Sequence, residues 1–416
     1  MADLTFLRGY NEALVMAVAR TLPAFERATI AAATGLTPQA VSKVLARLVD
    51  DGLIAPAGVR RPAVGKPAGV YQLVADSRYA IGAHVARRTL RLVLTDLAGA
   101  VRDSAVTALP PDFTPGTLLR ELAAGVGRLA AGPAGGRLTG VGIGMVGPLD
   151  HAHGTVRDAH RLRHWHDVPL RERAEQALGL PVHLDKDVTA GVTAEAWRHG
   201  PEFRDAALIM VESGVGAGLW LNGAAHRGAH TNAGEFGHTV VDLSGPPCVC
   251  GRRGCLEAVH DRAVAAGDIR GAARVLAVGV VNLVQTLDVA HVVLAGADLL
   301  AHAGTYRAEV EQAVRTQVPR ADWQRAEVDA VGPGRRRDRG GGGDAGPRGP
   351  LRTAGPGRAA AVSPGRRPQE AFQVSMTGLP CSKPSVDSVA VPSLSSPPPA
   401  AGRPIQRAPA TRSAWP

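Results

Sequence analysis

The 416-residue sequence has no apolar run of the roughly 20 residues needed to cross a bilayer, so no transmembrane helix and no membrane partner are expected. Its beginning, MADLTFLRGYNEAL, carries Asp3 and lacks the basic-then-apolar order of a secretory signal. The expectation is a cytoplasmic protein. No short-period repeat is present. Cysteine is scarce, four residues in all, yet Cys248, Cys250 and Cys255 fall close together while Cys381 stands alone. In a cytoplasmic chain such a cluster points to a metal before a disulfide. The net charge of +10 does not mark a basic body either. Of 47 basic and 37 acidic residues, 13 and 4 lie in 331–416, which leaves 34 against 33 elsewhere. Any case for nucleic-acid binding therefore rests on local motifs.

Hydrophobic residues make up 45% of the chain, enough for a sizeable core and two or three domains. Residues 1–75 read as helical and then strand-rich. From Tyr79 onward, apolar strands at 79–86, 90–97, 139–146, 206–211 and 291–295 alternate with amphipathic stretches near 116–131, 169–178, 188–199 and 269–288, which predicts an α/β body over 76–330. Residues 331–416 are rich in Gly, Pro and Arg and are expected to be a disordered tail.

The segment 29–54 carries the first functional pattern. Ile30 and Ala33 fill one short helix, Gly35 supplies a tight turn, and Thr37 caps a second helix with Pro38 at its first position. Val41, Leu45 and Leu48 share one face. The other presents Gln39, Ser42, Lys43 and Arg47, side-chain types that reach bases and phosphates from a major groove. Leu53-Ile54 and Val70–Leu73 read as paired strands of a wing. Its loop, with Arg60, Arg61 and Lys66 narrowed by Gly65 and Pro67, suits a minor groove. The plain alternative is a helical hairpin with a solvated basic loop; the wing in the right place favours a winged helix-turn-helix that binds DNA.

The second pattern is H-x9-C-x-C-x4-C: His238, Cys248, Cys250 and Cys255. One imidazole and three thiolates make a closed tetrahedral set, suited to structural Zn2+ and not to catalysis. Buried free cysteines are the weaker alternative. Glu235 and Glu257 flank this loop and can accept hydrogen bonds from sugar hydroxyls, although spacing alone also allows two surface glutamates.

The run E-F-G-H…C-x-C-G-x-x-G-C-L-E resembles the ROK family of sugar-responsive repressors and sugar kinases, as do TGVGIGMVGPLD (139–150), PVHLDKDVTAGVTAE (181–195), SGVGAGLWLNGAAHRGAHTNAGE (213–235) and VVLAGADLL (292–300). The resemblance covers roughly 20–330. It implies a duplicated actin/hexokinase-like (ribonuclease H-like) body with sugar bound between two lobes. It maps sugar contacts onto Asp187, Glu235, His238 and Glu257, and zinc ligands onto His238 and the three clustered cysteines. In a kinase Asp187 would be the general base; read on its own, it caps the 188–199 helix.

Three departures from the family's kinases decide against catalysis. The Asp-x-Gly-Gly-Thr-type turn after the first strand reads His84-Val85-Ala86-Arg87-Arg88-Thr89, the Gly-Thr-Gly phosphate turn reads Glu212-Ser213-Gly214, and the Asn before the catalytic Asp is Lys186. Phosphoryl transfer needs amides and a metal-binding acid around the nucleotide phosphates. The expectation is thus a sugar-responsive repressor of carbohydrate genes, a homodimer or homotetramer, with operator DNA and a small-molecule sugar or sugar phosphate as partners. A low-activity ATP-dependent sugar kinase is the runner-up, and a zinc-stapled scaffold that binds only protein is a third. The resemblance ends near Val328, where a further apolar helix should begin and VGPGRRRDRGGGG stands instead. Two readings of the tail compete, a natural basic extension and the product of a reading-frame change, and the abrupt break favours the second.

Overall fold

The computed structural model describes residues 4–331, apart from 62–65, 133, 160–161, 201, 213 and 319–322. The expectations for the tail beyond Val331 and for Gly65 at the wing tip lie outside the described residues. The chain opens with α1 (Leu4–Ala19), β1 (Phe25–Glu26), α2 (Arg27–Thr34) and α3 (Pro38–Asp50), then the antiparallel hairpin β2 (Ile54–Arg60) and β3 (Ala68–Leu73). Val41, Val44, Leu45 and Leu48 of α3 pack with Ile30, Val15, Met16 and Ala19, as their spacing requires. Gly35 ends α2 in the left-handed conformation, and the Thr37 hydroxyl accepts the Ala40 N–H at 3.2 Å to start α3. Ala33 is a correction: Ala32 and Ala33 face solvent, and Ala31 packs inward instead. β1 adds to the outer edge of β3, a pairing too short to leave a sequence pattern.

The rest of the chain builds two five-stranded sheets of matching topology. In the first, β4 (Tyr79–Val85), β5 (Thr89–Asp96) and β6 (Val101–Ala108) form an antiparallel meander. After α4 (Pro115–Ala130), β7 (Leu138–Met145) joins parallel to β4. A small sheet of β8 (Leu149–Asp150), β9 (Thr155–Asp158) and β10 (His166–Val168) precedes α5 (Leu170–Leu178), and β11 (Val182–Lys186) completes the order β11-β7-β4-β5-β6. The second sheet repeats this plan. β12 (Ala206–Val211), β13 (Val215–Leu221) and β14 (Ala224–Ala225) form the meander. α7 (Leu256–Ala265) and α8 (Ile269–Leu287) lead to β15 (His291–Ala295), parallel to β12, and α9 (Ala297–Leu300) and α10 (Ala303–Gln317) lead to β16 (Glu327–Ala330). The order is β14-β13-β12-β15-β16.

Each sheet has its own aliphatic core, the first under α4 and α5 and the second under α8 and α10. Between the sheets runs α6 (Asp187–His199), buried on nearly every face from Asp187 to Ala196. Val188, Val192 and Ala196 pack on β12 and β15. Gly218 of β13 lets the helix approach: a Cβ there would stand 1.9 Å from the Val188 carbonyl oxygen. Among the described residues, no helix is long and apolar enough to cross a membrane.

Candidate ligand cleft and metal centre

The strands of each sheet deliver their ends to one cleft. The first sheet contributes Gly147, Lys186 and Asp187, and the β4–β5 turn contributes Arg87. The second contributes Glu212, Gly214, Glu235, His238 and Glu257. All four residues expected to hold a sugar, Asp187, Glu235, His238 and Glu257, therefore line the same space, although they are scattered along the chain.

Asp187 is the first residue of α6, not its cap. Lys186 holds the cap position, and the Asp187 carboxylate accepts the next residue's N–H, that of Val188, at 2.7 Å. The helix begins one residue earlier than predicted because β11 runs straight into it. The carboxylate is buried beside His84, whose Nε2 lies 4.0 Å away. Burial pushes Asp187 above the usual carboxylate range, opposed chiefly by His84, and burial pushes the His84 imidazole down. Glu257, in the first turn of α7, accepts the Val215 N–H at 2.9 Å and is thereby pinned to the start of β13. Glu235 accepts from the Lys186 ammonium at 2.6 Å, and the same ammonium donates to the Ala233 carbonyl at 3.1 Å.

Lys186 was singled out in the sequence only as a departure. Its partner, 49 residues away, could not be read there. The same holds for Glu212. Glu212, noted in the sequence only as a departure in the phosphate turn, forms an ion pair with Arg91 of β5. Asp185 is bound by Arg227, Nε at 2.9 Å. Three ion pairs thus join the first sheet's side of the cleft to the second's.

The metal-ligand set comes together as the spacing required. The ligand atoms of His238, Cys248, Cys250 and Cys255 all lie within 4.8 Å of one another. Cys250 and Cys255 sulfurs are 3.6 Å apart, and Cys248 Sγ is 3.5 Å from His238 Nδ1. A tetrahedral ion with bonds of about 2.1–2.3 Å has ligand–ligand edges of about 3.5–3.8 Å, so the set fits one cation. The backbone N–H of Arg252 holds the Cys250 thiol down at about 7, whereas burial pushes Cys255 up to about 12. A bound cation would favour the thiolate at both. With Nδ1 turned to the sulfurs, His238 belongs to the metal cluster and the cleft wall together.

In the N-terminal unit, Gln39, Lys43, Arg61 and Lys66 are exposed, Ser42 is half-buried, and Thr37 is exposed while capping α3. Two other candidates are engaged. Arg47 donates to Glu12 at 2.6 Å, and Arg60 pairs with Glu26.

Comparison with known proteins places residues 80–266 within the ROK family. The xylose repressor of Caldicellulosiruptor bescii is 29% identical over 262 residues, 62% of this chain and 65% of that protein. The glucokinase of Halalkalibacterium halodurans is 30% identical over 190 residues, 44% of this chain and 57% of that protein. The chain therefore spans less than two thirds of the length of these relatives. The crystal structure of a ROK family transcriptional regulator, a homologue of the E. coli MLC protein, shares the fold with a TM-score of 0.63 at 23% identity, over 78% of this chain and 92% of that one.

Proposed function

We propose that this chain, whose residues 80–266 form a ROK family domain, is a sugar-responsive transcriptional repressor. In this reading the N-terminal unit is a winged helix-turn-helix that grips operator DNA, and the cleft takes a neutral monosaccharide. The observation that carries it is the convergence of Asp187, Glu235, His238 and Glu257 on one cleft beside the metal-ligand set. Carboxylates fixed by backbone and ammonium donors, two of them buried (Asp187 and Glu257), are prepared hydrogen-bond acceptors for vicinal hydroxyls. The xylose repressors among the relatives make D-xylose the first ligand to test.

Structural Zn2+ would be held by His238, Cys248, Cys250 and Cys255, and would fix the strand of chain that bears Glu235 and Glu257 on either side. Its part is to hold the loop, since four protein ligands leave no open position. On the DNA, α3 would present Gln39, Ser42 and Lys43 to the major groove and the β2–β3 hairpin would bring Arg61 and Lys66 to the backbone or minor groove. Sugar closing the cleft would shift the population of head arrangements in a dimer, and so change operator affinity.

The glucokinase relatives favour a second reading, a sugar kinase with Asp187 as general base. Against it stands Glu212, which lines the β12 end of the cleft with a carboxylate, paired with Arg91, where a phosphate would need backbone amides. Two measurements decide. Fluorescence anisotropy with DNA from upstream of the protein's own gene should show specific binding that D-xylose alters. A coupled ATP-consumption assay with D-xylose and D-glucose should show no turnover. Absence of DNA binding, or clear turnover, would overturn the repressor reading.

A further inference from the structure

The N-terminal unit touches the body at a defined place. Arg20, one residue past α1, lays its guanidinium 3.7 Å from the centroid of the Trp197 ring. Burial there pushes the guanidinium pKa down to about 9, so the charge sits in a partly dry contact where cation–π attraction is strongest. The indole itself rests on the turn after β5: a Cβ at Gly99 would stand 1.8 Å from the ring. Two residues before that turn, Leu97 donates its N–H to Ala75 and packs against the N-terminal core.

Trp197 belongs to the last turn of α6, and Asp187 in the cleft is that helix's first residue. The helix is a rigid rod of about 20 Å. It is clamped by both sheets, through Gly144 and Ala190 on the first, where a Cβ would meet its neighbour at 3.4 Å, and through Gly218 and Val188 on the second. Any relative movement of the two sheets on ligand binding must carry α6 past at least one of them. At its far end, the rod meets the residue that follows α1. That helix in turn packs Val15, Met16 and Ala19 against α2 and α3.

We propose that the Trp197–Arg20 contact is the interface through which occupation of the cleft is transmitted to the N-terminal unit. The inference rests on the repressor reading above and adds the route of regulation. The cleft displaces α6 lengthwise or by rotation, Trp197 shifts on Gly99, and Arg20 and α1 follow, re-aiming α3.

The test uses the full chain as wild type, R20M and W197L. Circular dichroism and metal content check that each is folded. Calorimetry with D-xylose and anisotropy with the upstream DNA, measured separately, should give dissociation constants within about two-fold of wild type. The D-xylose-induced change in DNA affinity, about five-fold or more for a coupled system, should fall to below two-fold in both variants. R20M keeps a long apolar stem and leaves the body untouched, so it stands if W197L does not fold. A full D-xylose response retained in R20M would overturn the proposal while leaving the repressor reading intact. A wild-type chain that bound neither D-xylose nor DNA would overturn the repressor reading itself, and the proposed route with it.

Discussion

The Lys186 ammonium donates to Glu235 at 2.6 Å with its own side chain only 5% exposed, so a buried cation on the first sheet's side of the cleft holds a carboxylate on the second's. The pair has two consequences. It neutralises one of the acids in the ligand space, and it fixes the rotamer from which Glu235 meets a hydroxyl. Lys186→Met should lower stability by about 1.5–3 kcal/mol, the range for a hydrogen bond to a charged group. It should also weaken D-xylose binding. Chemical denaturation and calorimetry read the two effects, and unchanged sugar affinity would show that the bridge is purely structural.

Asp187→Asn should separate binding from stability. Burial raises the Asp187 pKa above its unfolded value. By linkage, the fold is then most favoured with the acid protonated, and that contribution is lost as pH rises through the folded value. At neutral pH the neutral amide should therefore leave the melting temperature unchanged or higher, while sugar binding falls by about ten-fold or more for loss of a charged hydrogen bond. A large destabilisation would mean that the charge is matched in the empty protein. His84 runs the other way: its imidazole is pushed down by burial, so its contribution is lost as pH falls below the ordinary histidine range.

Chelation should release one metal ion per chain, detected by native mass spectrometry, and lower the melting temperature by about 5 °C or more. Cys255→Ser should do the same, since its sulfur is the most buried of the three. Retention of stoichiometric metal after this substitution would rule out Cys255 as a ligand.

On the DNA side, Gln39→Ala should cost about 1–3 kcal/mol at one base position and little elsewhere. Arg61→Ala should instead weaken binding to all sequences alike and reduce the salt slope by about one. The Arg47–Glu12 bridge predicts a milder and less sequence-selective effect at Arg47, because its guanidinium must be drawn from an existing partner. A competition series at two salt concentrations distinguishes the three.

Much of this was written locally in the chain. The histidine and three cysteines carry their own geometry. Gly35, Thr37 and Pro38 mark the helix boundary that the structure has, and fully apolar runs such as Ala206–Val211 show as central strands. What escaped has a physical reason. β6 is a polar edge strand, VRDSAVTA, with little to bury, and α10, AGTYRAEVEQAVRTQ, has only a weak apolar stripe. The pairs that shape the cleft, Lys186 with Glu235 and Arg91 with Glu212, join residues 49 and 121 apart, where no periodicity links them. Arg20 and Trp197 lie far apart in the sequence, and only the folded contact connects them.

The loop that bears the cysteines is crossed by its own backbone. Gly254 lies so close to Asp242 that a Cβ would stand 1.5 Å from the Asp242 carbonyl oxygen, and Val241, Cys248 and Gly254 each donate an N–H across the loop, to Gly254, Arg252 and Pro246. These backbone contacts hold the loop closed independently of the coordinating side chains. A stripped protein should reload quickly and without refolding, and Gly254→Ala, which alters no donor atom, should abolish that readiness more thoroughly than many changes nearer the sulfurs.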